Sequence, residues 1–480
     1  MDIEKKIKYG NIFIKIFVIL VLLLAIFYWA MGDQLYYRES AGTVDEGMGN
    51  ILTPELVDGT CLEETFYADM DRLDSVGVLL SSGEKSVDCT IKLSLIDLTT
   101  EETLLEGTIE GKEVGLNTYH YISSDKGISN IRNHQMLLSV TAAGATEGNA
   151  IVSIYDNTNT ADGTTMYINH EKVDGTLCYS LNGSDKVWAG KVYPQIALCI
   201  IILCSTFYLM CVYLHKKGKK EPIFKTYFMI KKYSFLIEQI VSRDFKVKYK
   251  RSLLGVFWSL LNPLLTMLVQ YMIFSQLFKQ DIENYPIYLL SGTVIFSFFS
   301  EGVSLALGAI IENATLITKV YVPKYIYPVT RVLSSLINLL LSLIPLFIGV
   351  LITGEAICKA YLLIPVILFC VLIFTMGFGM LLSALMVFFR DIRFLWGVLS
   401  MLWMYVTPLF YPANIVPDEW KFAQTYNPMF YYVSGFRNII LDGVSPEPKM
   451  YVLYVIMAAA SLLIGSFVFK KTQDKFALNI

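Results

Sequence analysis

Apolar runs of about twenty residues recur along this chain. A run of that length with few charges crosses a bilayer as a helix, because hydrocarbon offers backbone polar groups no other partner. The runs are Ile12–Met31, Tyr193–Leu214, Leu254–Phe278, Pro286–Ile311, Val329–Leu351, Ala360–Phe389, Phe394–Phe410 and Tyr451–Phe469. They predict a polytopic, all-α membrane protein with about eight transmembrane helices. The 54% of hydrophobic residues agrees, being above what a soluble domain carries.

One long stretch breaks the pattern. Residues 33–190 hold 26 acidic and 9 basic side chains, whereas the rest of the chain holds 16 acidic and 30 basic. A net of −17 beside a net of +14 places the two parts in different surroundings, the basic one against an anionic cytoplasmic leaflet. Lys and Arg concentrate in 1–11, 215–251, 312–328, 390–393 and 470–480. Positive charge stays inside, so both termini are expected in the cytoplasm and 33–190 outside, at a plasma membrane. Trp29-Ala-Met-Gly is a poor cleavage site, and the first run reads as an uncleaved anchor.

Within the acidic part, short alternating runs recur: Val76–Ser81, Cys89–Leu98, Leu104–Ile109, Thr118–Ile122, Gln135–Thr141, Ala150–Tyr155 and Thr164–Asn169. Gly, Asn, Asp and Ser separate them, which predicts an inserted extracellular β-sandwich, jelly-roll-like. Its Tyr119, Tyr121, Tyr155, Tyr167 and Trp188 are either sandwich core or faces for stacking sugar rings. Cys61, Cys89 and Cys178 are odd in number, no CxxC occurs and only four histidines exist, so no metal site is expected. Asp69-Met-Asp71 has the form of a metal-binding pair of carboxylates but reads as a solvated turn.

After the second run the chain turns basic. Ile223, Tyr227, Ile230, Tyr233, Ile237 and Val241 recur at helical spacing among lysines, the pattern of an amphipathic helix lying in the membrane interface. Further on, Tyr411–Lys449 is rich in Pro and aromatics, and its Pro428–Leu441 run predicts a re-entrant or interfacial helix.

Four motifs are specific. The first is Arg243-Asp-Phe-Lys-Val-Lys-Tyr-Lys-Arg-Ser-Leu-Leu-Gly-Val-Phe-Trp-Ser-Leu-Leu-Asn-Pro263; the others are Phe388-Phe-Arg-Asp391, Pro408-Leu-Phe-Tyr-Pro412 and Asn427-Pro-Met-Phe430. Together they resemble the ABC-2 permease family, and within it the exporters of O-antigen, teichoic acid and capsule polysaccharides, over about 222–480. The apolar runs and charges divide the chain into a tail and first anchor (1–32), the extracellular domain (33–191), a second transmembrane helix (192–215), the basic interfacial helix (216–253) and six further spans (254–480), which the resemblance makes the permease core. The resemblance implies a homodimer, two copies of a separate ATPase, and a lipid-linked polysaccharide as cargo. No GxxxxGK[ST] loop exists to cradle a nucleotide's phosphates. ATP and Mg are therefore expected on the partner, with no cofactor and no catalytic residue in this chain. Nor is a nucleic-acid partner expected.

Residue roles follow as expectations. Arg243, Lys246, Lys248, Tyr249 and Arg251 either anchor the chain to membrane lipid or contact a substrate phosphate. By the resemblance, Thr318, Lys319, Val320, Tyr321, Pro323 and Lys324 form a short coupling helix docked in the ATPase. Trp258, Tyr271, Phe274, Phe298, Phe299, Trp403 and Tyr405 are candidates for a pore lining, or else belts and packing. Glu301 is a carboxylate well inside a span, where such groups default to function. Two other functions compete with polysaccharide export: efflux of a small amphiphile, and a membrane enzyme modifying glycans.

Overall fold

A computed structural model describes the chain apart from residues 1–8, 45–50, 83–88, 146–150, 157–163, 218–221, 250–253, 279–283, 320–321, 355–357 and 477–480. It divides into two units, Asp33–Tyr193 and a second made of Met1–Gly32 with Pro194–Ile480.

The first unit is two antiparallel sheets. Its strands are β1 (Tyr37–Val44), β2 (Ile51–Leu52), β3 (Cys61–Tyr67), β4 (Arg72–Ser81), β5 (Thr90–Asp97), β6 (Glu102–Glu110), β7 (Thr118–Ser129), β8 (Gln135–Ala143), β9 (Val152–Asp156), β10 (Thr165–Ile168), β11 (Glu171–Val173), β12 (Thr176–Leu177) and β13 (Tyr179–Lys186). One sheet runs β1-β13-β4-β9-β12, with β2 on β9 and β7 on β4; the other runs β11-β10-β3-β8-β5-β6. Alternate residues of both sheets meet in one core, including Leu62, Phe66, Val76, Val78, Leu93, Leu138 and Met166. Burying those apolar faces is what holds a sandwich together. Tyr121 and Trp188 are exposed, whereas Tyr155 packs against the core. Asp71 accepts the Lys186 N–H at 2.8 Å, so the Asp69-Met-Asp71 turn ties down the end of β13.

The second unit is helical: α1 (Tyr9–Met31), α2 (Ala189–Lys216, its first residues before the unit boundary), α3 (Pro222–Tyr249), α4 (Trp258–Phe278), α5 (Tyr285–Glu312), α6 (Ala314–Lys319), α7 (Ile326–Thr353), α8 (Ile364–Phe388), α9 (Ile392–Val406), α10 (Lys421–Thr425), α11 (Pro428–Ile440) and α12 (Pro448–Thr472). Among the described residues, seven helices are long and apolar enough to span a membrane: α1, α2, α4, α5, α7, α8 and α12. The predicted eighth span shortens to α9, whose 15 residues reach about 22 Å against a hydrocarbon core of about 30 Å. Pro408 stops it, lacking the N–H that a further turn needs.

Helices α5, α7, α8 and α12 form the centre. Gly377 of α8 and Gly465 of α12 bring two backbones so close that a Cβ on either would collide with the other helix, the small-residue packing that serves where lipid supplies no hydrophobic drive. The window of α5 that would cross the membrane is 67% buried, whereas those of α1, α2 and α4 are 6% buried, so these three leave most of their apolar surface outside the packed bundle. The basic stretch folds as the continuous helix α3, whose Ile240 is buried.

Candidate functional site

Polar atoms inside an apolar helix bundle are expensive, so their convergence marks a site. Such a convergence lines a cavity of about 220 Å³ between α3, α4, α5 and α7. Hydroxyl and amide side chains line part of the wall: Ser259, Asn262, Thr266, Thr293, Ser297, Asn338 and Ser342, with Trp258 and Phe298 adding flat apolar faces. The Lys248 Nζ donates to Glu301 Oε1 at 2.7 Å, and Asn338 Nδ2 donates to the same oxygen at 2.9 Å. Tyr249 donates to Asn338 Oδ1 at 3.1 Å, and its hydroxyl shares a hydrogen bond with that of Ser259. Four helices are thus stitched by one polar chain.

Magnitudes decide how to read it. A carboxylate at a helix centre costs about 2.5–3.5 kcal/mol to insert. The side chains of Lys248 and Glu301 are 47% and 34% exposed, and a pair that wet returns about 0.2–1 kcal/mol. The ion pair alone does not offset the insertion, and the Asn338 N–H on the same oxygen, worth about 1.5–3 kcal/mol to a charged acceptor, brings the two close to balance.

A second charged group gathers at the α6 end of the bundle. Arg331 of α7 holds Glu312 at 2.8 Å through Nη2 and Asp244 of α3 at 3.1 Å through Nη1. Arg393 at the start of α9 reaches Glu312 at 3.5 Å. Asp244 and Lys248 are four apart and so share a face of α3, which fastens that helix to α7 at one level and to α5 at the next.

The sequence-based site residues separate. Lys248, Tyr249, Trp258, Phe298 and Glu301 come together at the cavity. Arg243 points to its neighbour Asp244 at 3.0 Å, Lys246 is exposed, and Arg251 lies outside the described residues. Phe299 is fully buried, ringed by Phe374, Phe378, Trp396 and Trp403 within 6 Å, in an aromatic core away from the cavity wall. Tyr271 lies 6.1 Å from Tyr285, Phe274 stacks on Phe410 at 5.3 Å, and Tyr405 is exposed. In the α6 segment Thr318 and Lys319 end the helix, and Pro323 accepts the Ile326 N–H at 3.0 Å. Lys324 is bound by its Nζ to the Gln473 carbonyl at 2.6 Å; Val320 and Tyr321 lie outside the described residues. Among the described residues no group of His, Cys, Asp and Glu could hold a metal.

Sequence reasoning missed Asn338, Asp244, Glu312, Arg331 and Arg437. Asn338 stands among leucines, and Arg437 inside the Pro428–Leu441 run, so intramembrane polarity was the available signal. Arg437 closes the non-helical stretch after α9: it donates to the carbonyls of Pro408, Leu409 and Tyr288 at 2.6, 2.9 and 3.1 Å. Tyr285 and Tyr288 donate to Phe410 and Tyr411 carbonyls at 2.6 and 2.7 Å. Those donors replace the helix bonds that Pro408 removes.

Comparison with known proteins places this geometry. Residues 236–441 match the model of the ABC-2 type transporter family. The chain is 31% identical over 244 residues to the O-antigen export system permease protein RfbA of Klebsiella pneumoniae, covering 50% of this chain and 93% of that protein. It is 29% identical to the protein of the same name from Myxococcus xanthus, over 52% and 96% of the two chains. Against the polysialic acid transport protein KpsM of Escherichia coli it is 20% identical, over 50% and 93%.

Proposed function

The chain belongs to the ABC-2 type transporter family, a multi-pass membrane transport protein and not an enzyme, and from that premise we propose that it exports a lipid-linked cell-surface polysaccharide across the plasma membrane. The observation that carries this reading is the cavity between α3, α4, α5 and α7, with hydroxyls and amides on its wall beside the faces of Trp258 and Phe298. Hydroxyls and amides exchange hydrogen bonds with sugar hydroxyls, and indole and phenyl faces cover the C–H face of a pyranose. Three relatives named for O-antigen export or polysialic acid transport support the same cargo class.

Energy comes from a partner on this reading, since the chain holds no phosphate-cradling loop. Two copies of an ABC ATPase carry the ATP and Mg, and α6 with Pro323 and Lys324 forms the docking element of each half of a homodimer. The basic connections put both termini and α3 on the cytoplasmic side and 33–190 outside. Arg243 and Lys246, both exposed, then face anionic lipid headgroups, and Lys248 faces the cavity.

Deleting the chain in its host tests the proposal. The expected result is loss of one polysaccharide from the surface and its accumulation inside, still on its lipid carrier, with restoration by the intact chain. Unchanged surface glycan with loss of resistance to an amphiphilic drug would replace the cargo by a small amphiphile.

A further inference from the structure

We propose that Lys248 exchanges between two anions, the Glu301 carboxylate in the resting chain and a phosphate of the cargo's lipid linkage in the loaded one, so that Glu301 is the resting occupant of the phosphate site. The proposal rests on the polysaccharide-export reading and deepens it. Lys248 Nζ and Asn338 Nδ2 converge on a single oxygen, Glu301 Oε1, at 2.7 and 2.9 Å. A carboxylate that swings aside therefore leaves an ammonium and an amide N–H aimed at one point on the cavity wall, with the hydroxyls of Tyr249 and Ser259 beside it. That is a donor set for a phosphate oxygen.

Three further observations favour exchange over a fixed pair. The pair is half-exposed, so partners can be traded without stranding a charge in a dry interior. A diphosphate linkage carries two charges against the one of a carboxylate and offers two non-bridging oxygens on each phosphorus, enough for the lysine, the amide and a hydroxyl together. Arg243 is held by Asp244 and Lys246 is exposed, which leaves Lys248 as the described basic residue of this run on the cavity wall. With phosphate at Lys248, the first sugars of the cargo would lie along Ser297, Thr293 and Asn262.

Binding of a fluorescent short-chain prenyl diphosphate to the full-length, detergent-solubilised chain tests this, with melting temperature followed for every variant. Glu301→Gln removes the competing charge and should tighten binding about threefold. Lys248→Gln should weaken it roughly tenfold to a hundredfold. The double exchange Lys248→Glu with Glu301→Lys restores the attraction, so it should melt near the parent while binding as poorly as Lys248→Gln. Parent-like binding by the double exchange, or no effect of either single change, would show a pair that merely holds helices and would overturn the proposal. Inorganic pyrophosphate and phosphatidylglycerol vesicles serve as competitors. Displacement by pyrophosphate and not by the vesicles supports a cargo phosphate, and equal displacement by the vesicles assigns the site to bulk lipid and overturns it. Failure of the export reading itself shows elsewhere, as unchanged surface polysaccharide in the deletion strain.

Discussion

Arg437 Nη1 lies 2.6 Å from the carbonyl oxygen of Pro408, and the same guanidinium reaches the carbonyls of Leu409 and Tyr288 while its carbon sits 3.5 Å from the Tyr288 ring centre. One buried cation thus holds a broken backbone in place of the helix that Pro408 ends. The planar fork matters, since an ammonium cannot address three carbonyls in those directions. Arg437→Lys should therefore leave orphaned carbonyls and lower stability by about 3–5 kcal/mol. Thermal unfolding of the inserted, detergent-extracted protein measures this, together with new protease cleavage between 407 and 426. A parent-like melt would refute the role.

Asn427 does three jobs with one side chain. Its Oδ1 caps α11 by accepting from Met429 N at 3.0 Å and also takes the Trp403 indole N–H at 2.7 Å, while Nδ2 donates to Thr407 at 2.9 Å. Asn427→Ala should cost about 2–4 kcal/mol, the loss of a cap plus an unmet indole donor. Asn427→Asp keeps both acceptances and forfeits the donation to Thr407, so its melt should fall between the parent and Ala. Equal melts for Ala and Asp would show that the cap contributes nothing.

How far the sequence was legible follows from which force dominates each element. Spans such as Pro286–Ile311 were plain because apolar length alone decides membrane crossing, and α5 runs from Tyr285 to Glu312. The β5 strand was equally plain, its Ile91, Leu93 and Leu95 alternating inward. By contrast β1 (Tyr-Arg-Glu-Ser-Ala-Gly-Thr-Val) and β13 (Tyr-Ser-Leu-Asn-Gly-Ser-Asp-Lys) went unread, because their pairing with each other from Tyr37–Lys186 to Val44–Tyr179 supplies what their side chains lack. At the cavity, Lys248 and Glu301 were visible singly, yet their contact across 53 positions of sequence depends on how α3 meets α5. Arg331 lies inside the predicted span Val329–Leu351, where the sequence shows no role for it, and only the fold reveals that it bridges two carboxylates.

That bridge lies beside α6, which begins two residues after Glu312. Displacement of α6 by a docked ATPase would pull on Glu312 and, through Arg331, on Asp244 of α3. Arg331→Gln retains hydrogen bonding but loses the charge. We expect the cognate ATPase to hydrolyse ATP while polysaccharide exported per ATP falls roughly tenfold, and Arg393→Gln, at 3.5 Å and more exposed, to matter less. The ratio of exported glycan to released phosphate in proteoliposomes checks this. An unchanged ratio would remove the bridge from the coupling route.

Two carboxyls in the β unit give its stability a defined pH dependence. Glu64 is fully buried on β3; burial pushes it from 4.5 up to about 8, against the single N–H that Leu177 donates at 3.2 Å. Burial also pushes Asp97 upward, but the His134 ring at 2.7 Å and the Thr99 N–H at 2.8 Å outweigh it and bring Asp97 from 3.8 down to about 2. A raised carboxyl keeps its proton in the folded state while the unfolded chain loses it. Its contribution is therefore complete below about pH 4.5 and drains away as pH rises through about 8, by on the order of 3–5 kcal/mol. Asp97 runs the other way, contributing fully above about pH 3.8 and losing its share as pH falls through about 2. The two together put the optimum of the 33–190 fragment between about pH 4 and 5, well below neutrality. Urea unfolding from pH 3 to 9, followed by circular dichroism, measures the curve. Glu64→Gln cannot titrate and should flatten the alkaline limb while leaving the acid limb to Asp97, whereas an unchanged decline above pH 5 in that variant would assign the loss to other groups.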